Sequence, residues 1–416
     1  TQPKRDTDTW IERPLEERAV AGVTLKYGDV VVTETVTGFQ RKRIKDHEVI
    51  DWTPLEMPPI EFATRAIWFE VPESMLEGFD EETLRQALAS EHYKSPLGPN
   101  QGRGVASGYW FNAGGESSAQ VNITEDGNVV IMTGHPDIGG SRASTANIAA
   151  ELLGIHPSRI NVLIGDTSSI GFSNLTGGSR VTFASAIVVT QSTENVIKQL
   201  CSRAAKIWKI DEDAVTWENG HARPAGENAG KFEPLSLAQI AAKASETGGP
   251  IGAGMQLNTA GAEGGFSTHV ADVEVDPATG KVRVIRMTCF QDVGRAIHPD
   301  YVEGQLQGAM SQAIGWALTE EYIYNKRGQV DNPGFLDYRM PVASDLPRLE
   351  CGIIEIPNPK HPQGVKGVGE VPLVPGMAAI RNAVYQAIGI RFNHLPMSPP
   401  KVLDALESVA LRKAAD

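Results

Sequence analysis

Apolar and polar positions alternate across a turn in one early stretch of the chain and then change to helical periodicity. Residues 119–131 alternate on both sides of turn residues 125–128, which is typical of a β-hairpin. A glycine-rich loop follows over 134–140, and helical spacing then runs over 141–153. The pattern predicts a hairpin, a loop and a helix in that order.

The same order recurs in the second half of the chain. Residues 270–285 alternate around turn residues 276–280, and helical spacing follows over 301–318. A long helix after residue 180 and a looser insertion over 211–255 are predicted between the two units. We therefore predict an α+β fold in which two similar hairpin-loop-helix subdomains hold a ligand between them.

The N-terminal part has a different pattern. Strand-like runs at 30–36 and 66–71 are separated by prolines and show little helical periodicity. The composition turns to loop residues near 95–100. These changes predict a β-rich N-terminal module over 1–95, a first subdomain over 96–260 and a second over 261–416.

Composition narrows the class of protein. The 416 residues are 41% hydrophobic and 21% charged, as in soluble globular proteins, and the net charge of −13 argues against a nucleic-acid binder. No apolar run reaches membrane-spanning length, and we expect a cytoplasmic protein. The cysteines Cys201, Cys289 and Cys351 stand far apart, which excludes a disulfide framework, a zinc ribbon and an iron–sulfur cluster held by this chain alone. Any redox metal must therefore arrive on an organic cofactor.

One loop carries the clearest candidate chemistry. Residues 364–375 contain three glycines and a single carboxylate, Glu370, just before a helix that ends near Gly389. A carboxylate among glycine and aliphatic residues is a candidate general base. The alternative is a glutamate that the dipole of the following helix favours and that has no catalytic role.

Two further groups of residues could contact a polar ligand. Residues 177–179 form a glycine-rich segment before the long helix, where backbone N–H groups can bind an anion. On the predicted 301–318 helix, amides alternate with glycines along one face, namely Gln305, Gly308, Gln312 and Gly315. The alternative for this face is an ordinary solvent-exposed surface.

Together these motifs resemble the molybdenum-cofactor-binding large subunit of the xanthine oxidase and aldehyde oxidoreductase family, the molybdenum hydroxylases. The resemblance covers residues 96–416 and includes Gly-x-Gly-Glu at 367–370 followed by a proline. It implies that Glu370 is the catalytic base and that no side chain ligates the metal. The implied cofactor-binding residues are Gly139, Gly140, Ser141, Thr176, Gly177, Gly178, Ser179, Gln305, Gln312 and Lys366, and the implied substrate pocket is lined by Tyr109, Trp110 and Phe111. Gly140 stands where the family often has a glutamine.

The resemblance also implies an activity and partners. The cofactor would be a molybdenum-pterin, either molybdopterin or its cytosine dinucleotide form. The reaction would oxidise an aldehyde or an aromatic N-heterocycle with water as the oxygen source, and 2Fe-2S and FAD groups would lie on partner chains. Nothing in residues 1–95 resembles the preceding half of the family's subunit. We therefore expect either another chain that supplies the other half of the molybdenum site, or a truncated or fused chain.

A second function remains open at this point. Residues 1–90 resemble a β-rich accessory region of DEAD/DEAH-box helicases, but the chain has no phosphate-binding Gly-x-x-x-x-Gly-Lys-Ser/Thr loop and therefore no helicase motor. The alternative is a non-catalytic binding or fusion protein that joins a helicase-like module to an incomplete hydroxylase fragment.

Overall fold

The computed structural model describes residues 40–45, 48–54 and 81–415. Strands β1 (Gln40–Lys45) and β2 (Glu48–Pro54) pair antiparallel. The predicted strands at 30–36 and 66–71 lie outside the described residues. The remaining elements, in chain order, are α1 (Glu81–Ala89), α2 (Glu91–Lys94), β3 (Gln101–Asn112), β4 (Gly115–Ile123), β5 (Val129–Thr133), α3 (Ser141–Leu153), β6 (Ile160–Ile164), α4 (Thr167–Ile170), α5 (Val181–Trp208), β7 (Val215–Glu218), β8 (His221–Pro224), β9 (Leu235–Ser236), α6 (Leu237–Ala241), α7 (Ala244–Thr247), β10 (Ile251–Thr259), β11 (Ala262–Val275), β12 (Val282–Asp292), α8 (Pro299–Leu318), β13 (Arg348–Ile354), α9 (Gly376–Ile388) and α10 (Pro399–Ala415).

Two four-stranded sheets share one strand order. The first runs β10-β4-β5-β6 and the second runs β3-β11-β12-β13. In each sheet an antiparallel hairpin is followed by a helix, α3 or α8, and then by a strand parallel to the second hairpin strand. The predicted α+β class is therefore confirmed, and both predicted hairpins are present.

The chain crosses between the two sheets twice. Strand β3 immediately precedes β4 in the chain but pairs with β11, whereas β10 immediately precedes β11 but pairs with β4. The strands of the first sheet all lie within residues 115–259, between β3 and the other strands of the second sheet. The predicted boundaries at 95 and 260 stay a prediction.

The prediction that residues 211–255 form a looser insertion was wrong. Strands β7, β8 and β9 form a three-stranded antiparallel sheet within it, and β10 begins at Ile251. Strand β10 has few large apolar residues in its sequence, Ile-Gly-Ala-Gly-Met-Gln-Leu-Asn-Thr, so its strand signal is weak. Backbone pairing with β4 defines the strand instead.

Each sheet is covered by a helix that comes after its parallel edge strand, β6 or β13, in the chain. Helix α5 packs on β4 and β10, and helix α9 packs on β3 and β11. Two separate apolar cores result, one around Ile131 and Leu200 and the other around Met287 and Ile380. Gly104 lies where α9 crosses β3: a methyl group on it would be 1.9 Å from the Ala379 carbonyl oxygen. Only glycine permits this close approach of helix and strand.

A buried ion cluster ties the stretch before β3 to the second sheet. Arg103 makes two hydrogen bonds of 2.7 Å to the carboxylate of Asp272, and His92 Nε2 lies 3.2 Å from the same carboxylate. Arg103 also donates to the Ser95 carbonyl oxygen. Burial raises the pKa of Asp272, but the bonds from Arg103 and His92 outweigh burial and lower it below its ordinary value. The cluster fixes α2, which contains His92, against β11, and α1 packs on β11 and β12.

We expect Arg103→Met to lower the free energy of unfolding by ~3–5 kcal/mol, because Asp272 would stay buried without its main cationic partner. Denaturant unfolding at neutral pH measures the change. Arg283→Met is the matched control, since its ion pair with Glu274 is exposed and such pairs contribute ~1 kcal/mol or less. Equal losses in the two variants would contradict the structural role of the buried pair.

Candidate active site

A cavity of about 380 Å³ lies where loops from both sheets meet. The loop before α5 supplies Thr176, Gly177 and Ser179 to its wall, whereas Gly178 does not line it, and the loop before α9 supplies residues 365–370. The remaining lining residues come from the start of α5, the segment 295–305, the loop before α3 and α3 itself. The chain passes directly from β3 to β4 and from β10 to β11, so two short connections join the sheets, and the loops face one another although they are far apart in sequence.

Glu370 joins the two loops at the cavity wall. Its Oε2 accepts hydrogen bonds from the backbone N–H of Ser179 and from Ser179 Oγ, the latter at 3.0 Å. The backbone N–H of Glu370 donates to Ser179 Oγ at 3.1 Å. No hydrogen bond from another described residue reaches Oε1, so this oxygen remains as an acceptor beside the cavity.

Lys366 anchors the same loop to the end of β12. Its Nζ forms an ion pair with Asp292, whose side chain is 0% exposed. Asp292 Oδ1 accepts hydrogen bonds from the N–H groups of Gly294, at 2.9 Å, and Ile356, at 3.3 Å. Gln291 Nε2 donates to the Gly367 carbonyl oxygen at 3.2 Å. The ammonium group of Lys366 therefore orders the loop, and its predicted contact with a cofactor stays a prediction.

Gln305 lies between two glycine-containing loops. A methyl group on Gly139 would be 2.9 Å from Gln305 Oε1, and one on Gly369 would be 3.2 Å from the same atom. Glycine at both positions leaves room for the amide, and no hydrogen bond from another described residue reaches it. The amide can therefore donate to and accept from a polar ligand. Gln312 is exposed two turns further along α8 and does not line the cavity.

The conformation of the loop before α3 and the ring of Tyr301 require glycine at position 140. Gly140 has φ 77°, and a methyl group on it would lie 2.2 Å from Cδ2 of Tyr301. The ring of Tyr301 occupies the space that a side chain at 140 would need. Ser141 Oγ donates to the Pro136 carbonyl oxygen at 3.1 Å and stabilises the loop. Neither Gly140 nor Ser141 lines the cavity.

Arg180 fixes the loop before α5 from inside. It is 2% exposed, and its guanidinium donates to the carbonyl oxygens of Gly114, Asn174, Leu175 and Glu116 and to Ser117 Oγ. Burial lowers the pKa of Arg180 from its ordinary value. This set of bonds sets the position of the segment 174–179, which contains the predicted Thr176, Gly177 and Gly178.

The three aromatic residues that were predicted to line a substrate pocket lie outside this cavity. Tyr109 and Phe111 are 49% and 47% exposed on β3, and neither they nor Trp110 line the cavity. Phe111 instead packs behind Gly178, where a methyl group would lie 2.9 Å from its ring. The structure does not bring these three side chains to the cavity, and their role in a substrate pocket stays a prediction.

Sequence reasoning missed an aromatic pair that does line the cavity. His298 and Tyr301 stack with ring centroids 4.0 Å apart at the start of α8. Arg295, which donates to Gln363 Oε1 at 3.0 Å, lines the cavity beside them. The available signal was their position at the start of a helix, with His298 directly before Pro299 and Tyr301 in the first turn.

The residues around the cavity suit an anionic organic ligand. The N-terminus of the 28-residue helix α5 reaches the wall, with Val181, Thr182 and Phe183 in its first turn. Helix N-termini present N–H groups without intrahelical partners and a partial positive charge. The Gln305 amide adds a donor and an acceptor. Within residues 40–45, 48–54 and 81–415, no cluster of three or more His, Cys, Asp or Glu could hold a metal ion by itself.

Comparison with known proteins shows similarity to one protein family. Residues 75–347 match the model of a molybdopterin cofactor-binding domain. The chain is 32% identical over 306 residues to a putative xanthine dehydrogenase molybdenum-binding subunit of Escherichia coli, covering 71% of this chain and 40% of the relative. It is 33% identical over 311 residues to an aldehyde oxidoreductase molybdenum-binding subunit of the same species, covering 74% of this chain and 41% of the relative. The chain therefore spans about two fifths of the length of these relatives.

A solved structure shows the same fold. Quinoline 2-oxidoreductase from Pseudomonas putida superposes with a TM-score of 0.67 at 24% identity, covering 85% of this chain and 48% of the other. In the part of this chain that the structure describes, no helix is long and apolar enough to cross a membrane.

A buried histidine in the loop before α3 should make the free energy of unfolding depend on pH. His135 is 2% exposed, and burial together with the nearby charge of Arg180 lowers its pKa from 6.5 to about 4. Between these values the unfolded chain binds a proton that the folded chain does not, so stability falls as pH drops from 6.5 to 4. We expect His135→Gln to weaken this dependence by at most ~1.4 kcal/mol per pH unit.

Unfolding measured between pH 4 and pH 7.5 checks this expectation, with the exposed His156→Gln as control. An unchanged pH dependence in His135→Gln would show that His135 does not carry the effect.

Proposed function

Because this chain belongs to the molybdopterin cofactor-binding domain family, we propose that it forms the C-terminal, catalytic-base half of a molybdenum hydroxylase large subunit. The reaction would be the oxidation of an aldehyde or an aromatic N-heterocycle with water as the source of oxygen. One observation carries the proposal: Glu370 stands at the wall of a cavity, held by Ser179, with the amide of Gln305 in the same cavity.

The residues present fit a molybdenum-pterin, as molybdopterin or its cytosine dinucleotide form. The amide of Gln305 matches the donor and acceptor edges of a pterin, and the N-terminus of α5 suits its anionic groups. Gly139 and Gly177 leave the backbone of two loops open to the cavity. Thr176 and Ser179 lie in the same wall. Gln312 and Ser141 would act only indirectly, because neither lines the cavity.

The proposed role of Glu370 is that of general base. The cofactor, when bound, would supply the redox centre that accepts the two electrons of substrate oxidation. Glu370 Oε1 would accept the proton released from water as the new bond to carbon forms, since Oε2 is already bonded to Ser179. The ion pair of Lys366 with Asp292 would keep the loop in place during proton transfer.

We further propose that residues 96–260 and 261–416 are the two subdomains of this half. The similar strand order of the two sheets supports two similar units, although β3 of the first range lies in the sheet of the second. The rest of the molybdenum site would come from the part of the relatives that this chain does not match, and 2Fe-2S and FAD groups from partner chains. The resemblance of residues 1–90 to a helicase accessory region stays a prediction, to which we attach no function.

Glu370→Gln tests the proposed base. The amide keeps the size of the side chain but cannot accept the proton, so we expect turnover in the loaded complex to fall by ~10²–10⁴. Molybdenum content, measured for each sample, should not change. Glu194→Gln is the control, because Glu194 is an exposed carboxylate on α5 that does not line the cavity. Turnover within a few-fold of wild type in Glu370→Gln at equal molybdenum content would refute the role.

Metal analysis tests the proposed need for a second half. We expect the chain purified alone, from cells that make the molybdenum cofactor, to hold far less than one molybdenum per chain. Coexpression with the missing half should raise the content to about one. A full complement of molybdenum in the chain alone would show that this half suffices for binding.

A further inference from the structure

We infer that Ser179 is the positioning residue for Glu370: it holds Oε2 with two donors and leaves Oε1 without a hydrogen-bond partner among the described residues. This inference rests on the proposed role of Glu370 as base. It assigns to Ser179 a contact with the base, whereas the family resemblance places Ser179 only beside the cofactor.

The hydrogen bonds are reciprocal. Ser179 offers its backbone N–H and its Oγ to one oxygen of Glu370, and the backbone N–H of Glu370 returns a bond to Oγ. A hydroxyl can donate once and accept as well, so the three bonds are compatible. Both the carboxylate and the backbone that carries it are thereby fixed by one residue.

The backbone of Ser179 is in an uncommon conformation that makes these bonds possible. Ser179 has φ 52°, in the left-handed region that few residues other than glycine adopt, and Gly178 before it has φ 74°. Arg180 follows at the start of α5, and its buried guanidinium bonds to four carbonyl oxygens and one hydroxyl. Residues kept in such conformations by their surroundings are frequent at functional sites.

The opposite loop is shaped to receive Ser179. A methyl group on Gly367 would lie 2.5 Å from Cβ of Ser179 and 2.1 Å from Nδ2 of Asn112. A side chain at position 367 would therefore push the two loops apart. Glycine at 367 and the left-handed turn at 178–179 are independent features that both bring Ser179 to Glu370.

A glutamate side chain has several rotatable bonds, and fixing one of its oxygens limits where the other can lie. A misplaced base can cost roughly 10²-fold in rate. We expect Ser179→Ala in the loaded complex to lower turnover about 10- to 100-fold, with KM within about two-fold and molybdenum content unchanged. The second variant, Ser179→Gly, removes the same hydroxyl but permits the left-handed backbone. An equal loss of turnover in the two variants would therefore show that the missing Oγ, and not backbone strain, causes the loss.

A double-mutant cycle separates positioning from a general structural effect. If Ser179 acts through Glu370, Ser179→Ala should cause no further loss in a Glu370→Gln background. An additive loss would overturn the inference. Turnover near wild type in Glu370→Gln alone would instead refute the proposed function, so the two failures are distinguishable.

Infrared spectroscopy of the chain without cofactor gives an independent measurement. With carboxylate-13C-labelled glutamate, the difference between wild type and Glu370→Gln isolates the carboxylate stretch of Glu370. We expect Ser179→Ala and Ser179→Gly to shift this band, because one hydrogen bond to Oε2 is lost. Ser185→Ala should not shift it, since Ser185 Oγ bonds, among the described residues, only to the Thr182 carbonyl oxygen within the same helix. An unshifted band in Ser179→Ala would overturn the inference.

Discussion

The two short connections between the sheets are the constraint on which the site depends. Strand β3 passes directly into β4, and β10 passes directly into β11, yet the two strands of each pair lie in different sheets. The first sheet is therefore inserted between β3 and β11, two paired strands of the second sheet, and both of its ends are held there. The loops that follow β6 and β13 meet at this junction, and the bond between Ser179 and Glu370 spans 191 residues of sequence.

Buried charged side chains hold the loops around the cavity in place. Arg180 satisfies carbonyl oxygens of its own loop, and the Lys366–Asp292 pair ties the opposite loop to the end of β12. A buried charge without partners is costly, so each of these groups restricts the backbone to conformations that provide its bonds. The two apolar cores stabilise the sheets and helices, whereas the charged groups determine where the loops lie. We interpret this division as the reason that a glycine-rich site can be both open and ordered.

Local patterns in the sequence predicted much of the fold. Both hairpins and the helices α3, α8 and α9 follow from residue periodicity and from glycines such as Gly154 and Gly389, which end helices in the left-handed conformation. Strand β10 could not be found in this way, because glycines interrupt the apolar residues of its first half and its partner strand is distant in sequence. The pairing of β3 with β11 has no local signal either. Periodicity describes one element, and pairing between elements depends on the whole chain.

The site shows the same limit at the level of single residues. Spacing placed Gln305 and Gln312 on one face of α8, but of these two only Gln305 lines the cavity, because the loops that carry Gly139 and Gly369 approach the helix there. Glu370 and Ser179 were each candidates for chemistry of their own, and the contact between them required the fold.

The loops before α5 and α9 occupy equivalent places. Each lies between the parallel edge strand of a sheet, β6 or β13, and the helix that covers this sheet. One carries the carboxylate and the other the residue that holds it. A fold with similar halves thus produces an asymmetric site, since proton transfer needs one acceptor and one fixed support rather than two equal groups.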